Sequence, residues 1–162
     1  MECVIFIGIQ ASGKSTFYKE RFFATHMRIN LDMLRTRNRE NIYLEASLRA
    51  KQPFVIDNTN PSALDRQRYI RPAKESGFAV KGYFFEPDYE LSMERNEQRE
   101  GRAKVREAGI KSTLAKLERP HAAEGFDELY LVRSKNGCFE VEPLPPLEHR
   151  MEDEAADPDS TL

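Results

Sequence analysis

Short apolar runs alternate with longer charge-rich stretches along this chain. Strand-like segments fall at Glu2 to Gly8, Met27 to Asn30, Pro53 to Asp57, Phe78 to Glu86 and Glu128 to Arg133. The stretches between them permit helices. Phe17, Arg21 and Phe22 begin one after the first strand, Ile42, Ala46 and Arg49 mark a second, and Asp65 to Lys74 form a third that Pro72 should kink or end. Asp88 to Gln98 and Ser112 to Leu117 read as two more, around a polar connection that contains Gly101 and Gly109. Strands alternating with helices predict an α/β fold with a five-stranded parallel sheet and helices on both faces. Tyr83, Phe84 and Phe85 lie in the fourth strand segment, where their rings are expected to pack the core.

The chain has 162 residues, of which 40% are hydrophobic and 32% charged, as in a single globular domain. Its longest apolar run, Cys3 to Ile9, is far below the roughly 18 residues of a membrane helix. Glu2 beside Met1, with no basic segment before the apolar run, reads as the start of a buried strand and not a secretory signal, so a cytoplasmic protein without a membrane partner is expected. Cys3 and Cys138 match no metal or redox spacing, and His26, His121 and His149 form no triad or ligand set. The net charge of -2 conceals a division: residues 140–162 hold eight acids and one base, a net of -7, and the remainder carries +5. The reading is a basic domain over residues 1–139, suited to an anionic substrate, followed by an acidic, Pro-containing, flexible tail over residues 140–162.

Gly8-Ile9-Gln10-Ala11-Ser12-Gly13-Lys14-Ser15 fits G-x-x-x-x-G-K-[ST] at every fixed position, after an apolar strand and before a helix. Such a loop lets the backbone wrap phosphates closely. The segment from Gly8 through Ala11, Ser12, Gly13, Lys14, Ser15 and Thr16 would bind ATP phosphates, with Lys14 on the β- and γ-phosphates and Ser15 on Mg²⁺. The guanine signature N-K-x-D and a D-x-x-G switch are absent, which removes the signalling GTPases. The length, and the lack of an apolar run ending in Asp-Glu, set aside a large motor or AAA-type ATPase. A small kinase remains.

Asp32 and Arg35 follow the second strand, near the ligand-binding end of a doubly wound sheet. In a helix they share a face, so Asp32 could take a hydroxyl proton while Arg35 binds an acceptor phosphate; the alternative is a capping Asp with an exposed Arg partner. Asp57 ends the third strand and could orient Ser15 or a Mg²⁺-bound water, whereas Asn58, Thr59 and Asn60 suit turn and cap positions. Arg95, Arg99, Arg102 and Arg106 recur at helical spacing with no acid three or four residues away from any of them. Like charges so arranged repel, so a polyanion is the expected partner, on a helix or on a lid broken at Gly101.

These residues resemble the P-loop polynucleotide 5'-hydroxyl kinases of phages and animals, including the kinase half of the animal polynucleotide kinase/phosphatase. The resemblance covers most of residues 3 to 133 and rests on GIQASGKST, INLDMLR, VIDNTNP with the following RQRYI, RNEQREG and the late LERPHAAEGF. It implies an adenylate-kinase-like fold with an arginine-bearing lid. It further implies that Lys14 and Ser15 bind phosphate and Mg²⁺, that Asp32 is the general base, that Arg35 binds the acceptor phosphate, and that Asp57 lies beside the metal. Arg99 would be the lid arginine on the transferring group. The expected function is Mg²⁺-dependent transfer from ATP to the 5'-OH of DNA or RNA, in nucleic acid repair, with Arg102 and Arg106 on the acceptor strand. Small-molecule or tRNA-linked kinases share this apparatus, and an ATP-gated nucleic-acid-binding adaptor is the non-enzyme alternative. After the lid the family tends to have a Val-Pro pair where this chain has Val105-Arg106, and no D-x-D-G-T phosphatase motif occurs.

Overall fold

The computed structural model describes residues 1–146. Each strand-like segment forms a strand: β1 (Glu2–Ile7), β2 (Met27–Ile29), β3 (Phe54–Ile56), β4 (Ala79–Phe85) and β5 (Glu128–Lys135). A further strand, β6 (Cys138–Pro143), extends the sheet, whose order is β2-β3-β1-β4-β5-β6. The first five run parallel, and β6 pairs antiparallel with β5, Val141 opposite Val132. The sheet is therefore six-stranded and mixed, not five-stranded and parallel. The cause is local: Asn136 at φ 52° and Gly137 at φ 76° both take left-handed conformations, the two-residue turn whose twist matches a hairpin.

A domain boundary after residue 139 is corrected by the same hairpin, because it would cut β6 in two. Leu144 N donates to Leu129 O at 2.9 Å, and Leu144 packs against the core, so the body extends at least that far. The rest of the acidic tail, residues 147–162, and His149 with it, lie outside the described residues.

Period-two alternation in β1 builds a core on each face of the sheet. Cys3, Ile5 and Ile7 pack with Leu44 and Leu48 of α3 (Arg37–Ala50) and Tyr69 and Ile70 of α4 (Ala63–Glu75). Val4 and Phe6 face Phe17 and Tyr18 of α1 (Lys14–Arg21). Phe84 and Phe85 are buried, and the Phe85 ring lies 5.3 Å from that of Phe6. Tyr83 stacks on Tyr130 at 5.0 Å, so all three aromatics serve packing. Cys3 is a buried free thiol, pushed up in pKa by burial, and Cys138 is free and exposed. His26 pairs with Glu2 at 2.7 Å, a structural contact. Among the described residues no helix is long and apolar enough to cross a membrane.

Two helices differ from expectation. α4 passes through Pro72 and ends at Glu75, because a proline so near the C-terminus removes only one helical bond and Ser76 N still reaches Pro72 O at 3.0 Å. Its start is fixed by a capping box, with Ser62 Oγ accepting from Asp65 N at 3.1 Å. α6 (Glu107–Lys116) begins well before Ser112 and takes Gly109 into its first turns.

A buried ion pair ties α4 to the segment that precedes β5. Arg66, fully buried on α4, donates to both Glu124 carboxylate oxygens at 2.9 Å, to Asn60 O at 3.0 Å, to Pro61 O at 2.9 Å, and to Glu118 O. Removing one partner of such a pair strands the other in a low-dielectric site. Glu124→Ala is expected to cost about 3 to 5 kcal/mol of stability, read from urea unfolding. A loss below about 1 kcal/mol would show that water or the carbonyls alone satisfy Arg66.

Candidate active site

The site forms at the carboxyl ends of β1, β2 and β3, where an open α/β sheet binds ligands. The loop after β1 passes through Gly13, which caps α1 in the left-handed region at φ 95°. Besides that strain, a Cβ there would stand 2.9 Å from Phe139 Cε1 and 3.3 Å from Arg95 Nη1. A Cβ at Gly8 would stand 2.9 Å from Phe85 Cβ. The first turn of α1 carries no acidic residue, leaving its amides and dipole available to an anion. Lys14 is buried, and its Nζ donates to Gly8 O at 2.9 Å, Ile9 O at 2.6 Å and Ser12 Oγ at 3.3 Å. Burial lowers its pKa to about 8, partly offset by the nearby Asp57 carboxylate and reinforced by Arg99.

Asp57, buried at the end of β3, accepts from Ser15 Oγ at 3.0 Å and from Arg28 Nε at 2.8 Å. Arg28 Nη2 also donates to Ser15 Oγ at 3.0 Å. Asn30 Nδ2 donates to Asp57 O at 2.5 Å, and Asn58 Oδ1 accepts from Leu31 N at 2.8 Å, so the β2 and β3 ends are tied together. The four-residue helix α2 (Leu31–Leu34) carries Asp32 in its first turn. Arg35 does not share a helical face with it. It terminates α2 at φ 75°, yet both side chains line the same cleft. Asn30, and not Asp32, caps α2, accepting from Met33 N at 2.9 Å.

That central cleft, of about 810 Å³, brings together Ala11, Lys14, Ser15, Arg28, Asp32, Arg35, Asp57, Arg99 and Arg102. A second cleft of about 310 Å³ shares Ala11 and Arg99 and adds Gly13, Thr16, Arg95 and Phe139. A third, of about 330 Å³, shares Asp32 and adds Arg37, Asp65 and Tyr69. Arg99 thus lines both the central and the second cleft, and Asp32 both the central and the third.

The arginine stripe is not one helical face. α5 (Tyr89–Glu97) ends before Arg99, Gly101 turns the chain at φ 59° into a short 3₁₀ segment, and Arg106 precedes α6. Arg95 donates to Ser134 Oγ at 2.6 Å, Arg99 and Arg102 reach the central cleft, and Arg106 is exposed outside it. Asn96, buried, anchors the lid by donating to Val105 O at 2.6 Å and accepting from Val105 N at 2.8 Å. Asn60 is a turn residue, donating to Phe6 O at 2.8 Å.

Sequence reasoning missed Arg28 and Gln10. Gln10 Nε2 donates to Thr113 Oγ1 at 2.9 Å, joining the P-loop to α6. Arg28 lies in a strand with no motif around it, and only its charge beside apolar neighbours hints at a buried partner.

A family model described as an AAA domain matches residues 35–120, just over half of the chain. The chain belongs to that AAA-domain family. The match corrects the expectation that set aside an AAA-type domain. The match begins downstream of the P-loop, so the phosphate loop is an independent observation. This AAA domain is 27% identical over 129 residues to a bifunctional polynucleotide phosphatase/kinase of Schizosaccharomyces pombe, covering 77% of the chain and 32% of that protein. A relative from Acanthamoeba polyphaga mimivirus with the corresponding name is 33% identical over 100 residues, covering 60% of the chain and 24% of that protein. The domain spans about a quarter to a third of these relatives' length. Among solved structures, Kti12 of Chaetomium thermophilum, in complex with ADP-AlF3, superposes with a TM-score of 0.61 at 16% identity over 81% of the domain and 88% of that chain. The AAA domain therefore has a P-loop kinase-like α/β fold.

Proposed function

We propose that this domain transfers the γ-phosphoryl group of ATP to the 5'-OH of a DNA or RNA end. One observation carries the reading: a single cleft joins the P-loop lysine, the Ser15–Asp57 pair, Asp32, and arginines on both the acceptor and lid sides. The names of the two curated relatives support a polynucleotide acceptor.

Mg²⁺ fits the residues present. The Ser15 hydroxyl and Asp57 carboxylate are hard oxygen donors, and no cluster of three or more His, Cys, Asp or Glu able to hold a metal occurs among the described residues. That donor set suits an ion carried largely by nucleotide phosphates and water. When bound, Mg²⁺ would neutralise charge on the β- and γ-phosphate oxygens.

In this reading the α1 N-terminus and Lys14 hold the phosphates, and Asp57 orients Ser15. Asp32 takes the proton from the acceptor hydroxyl while Arg35 grips the neighbouring 3'-side phosphate. Arg99 donates its guanidinium fork to the transferring group, and Arg102 meets the next phosphate of an extended strand.

The test is a salt series of KM with two acceptors, an oligonucleotide and a mononucleoside 3'-phosphate. Arg102→Ala should raise the oligonucleotide KM and lower its salt slope by about 0.7, one single-strand phosphate contact, and leave the short acceptor unaffected. Adding Arg106→Ala should change little more, since Arg106 lies outside the cleft. Equal slopes for wild type and Arg102→Ala, with both acceptors used equally well, would favour a small-molecule kinase.

A further inference from the structure

Arg28 is the charged side chain in the cleft that the proposed chemistry leaves without a task. It closes a triangle: Nε donates to Asp57 Oδ2 at 2.8 Å, Nη2 donates to Ser15 Oγ at 3.0 Å, and Ser15 Oγ donates to the same Asp57 oxygen at 3.0 Å. These are the two groups that would meet Mg²⁺.

We propose that Arg28 is a positioning residue that competes with the metal ion for Ser15 and Asp57 and so sets how much Mg²⁺ the site requires. The proposal rests on the kinase reading above. A serine hydroxyl has one proton, and here it goes to Asp57. Arg28 Nη2 occupies a lone pair of the Ser15 hydroxyl that a cation could otherwise use, and the guanidinium charge beside it opposes a second cation.

Arg28 is also built to yield. Its side chain is 28% exposed, against 2% for Asp57, so it can withdraw toward solvent while the carboxylate stays. Its guanidinium carbon also lies 6.0 Å from the centroid of the Tyr18 ring, whose face can hold a cation without a direct hydrogen bond. The main chain of Asp57 is held without Arg28. Its backbone N donates to Ile29 O at 2.9 Å, and its carbonyl accepts from Asn30. Arg28 is therefore not needed to place the Asp57 main chain, and its contacts fall on the carboxylate and hydroxyl oxygens alone.

The test uses the full chain as wild type, Arg28→Gln and Arg28→Lys. Mn²⁺, as a probe for Mg²⁺, is titrated with a non-hydrolysable ATP analogue present and followed by water-proton relaxation. Arg28→Gln should lower the half-saturating metal concentration about tenfold, the scale of one charge-assisted hydrogen bond. Arg28→Lys keeps a charge near Asp57 but cannot span both partners, so it should shift the curve in the same direction by less. In thermal melts, Arg28→Gln without metal should be less stable than wild type, and metal with the analogue should close that gap. Unchanged or weakened metal binding in the variants would overturn the proposal and leave Arg28 as a scaffold for Asp57. If Arg28→Gln does not fold, the Arg28→Lys titration decides alone. Failure of wild type to bind metal and analogue at all would reject the kinase reading itself, which separates the two claims.

Discussion

Lys14→Ala should abolish phosphoryl transfer in a protein that still folds. The wild-type side chain is buried, and among the described residues its ammonium donates to oxygens of the loop itself, Gly8 O, Ile9 O and Ser12 Oγ. A phosphate entering the loop offers oxygens of greater negative charge, so the ammonium can turn from carbonyls to phosphates without leaving the site. Catalysis of this kind is mostly positioning and electrostatics, and one aimed donor in such a site is worth about 10² to 10³ in rate. Loss of the full charge should reach at least the upper figure.

A pH dependence follows from the same residue. Burial favours the neutral amine and lowers the Lys14 pKa to about 8, so the free enzyme loses this charge as the pH rises through that value. kcat/KM for ATP should therefore fall above about pH 8, where an ordinary lysine would remain protonated. Wild-type turnover in a folded Lys14→Ala protein would reject the P-loop assignment.

Asp32→Asn should lower kcat by about 10² to 10⁴ and leave nucleotide binding intact. The amide keeps the shape of the side chain and loses the ability to accept a proton. Asp32 is exposed in the first turn of α2 and lines both the central cleft and the chamber on the Arg37 side, where an acceptor hydroxyl would enter. Ser15 and Asp57, by contrast, bond directly to one another, so nucleotide and metal affinity should follow them and not Asp32. Measuring single-turnover rate and ATP affinity in the same preparation separates the roles. A variant that loses affinity while kcat holds would make Asp32 a metal or structural residue.

What could be read from the sequence, and what could not, divides along physical lines. β1 and β3 were legible because buried parallel strands need uninterrupted apolar runs, β4 and β5 because Tyr83–Phe85 and Leu129–Val132 stand out between charges, and the P-loop because its glycines answer to sterics that only a few residue types meet. β6 escaped because it is an edge strand, largely exposed, whose acids and proline resemble a tail. Its signal was present in Asn136-Gly137, a strong two-residue hairpin turn, with Phe139 and Val141 alternating after it. The arginine stripe had helical spacing, yet Gly101 at φ 59° breaks it, and only Arg99 and Arg102 face the cleft. Arg28 could not be found locally, since its role depends on Ser15 and Asp57, 13 and 29 residues away in sequence.

The most direct measurement of the central claim is transfer of labelled γ-phosphate from ATP, with Mg²⁺, to paired oligonucleotides bearing either a 5'-OH or a 5'-phosphate. A labelled 5'-phosphorylated product is expected from the 5'-OH strand and none from the blocked strand, with the signal lost in Asp32→Asn. Binding of ATP and both strands without any labelled product would contradict it and point to an ATP-gated nucleic-acid adaptor.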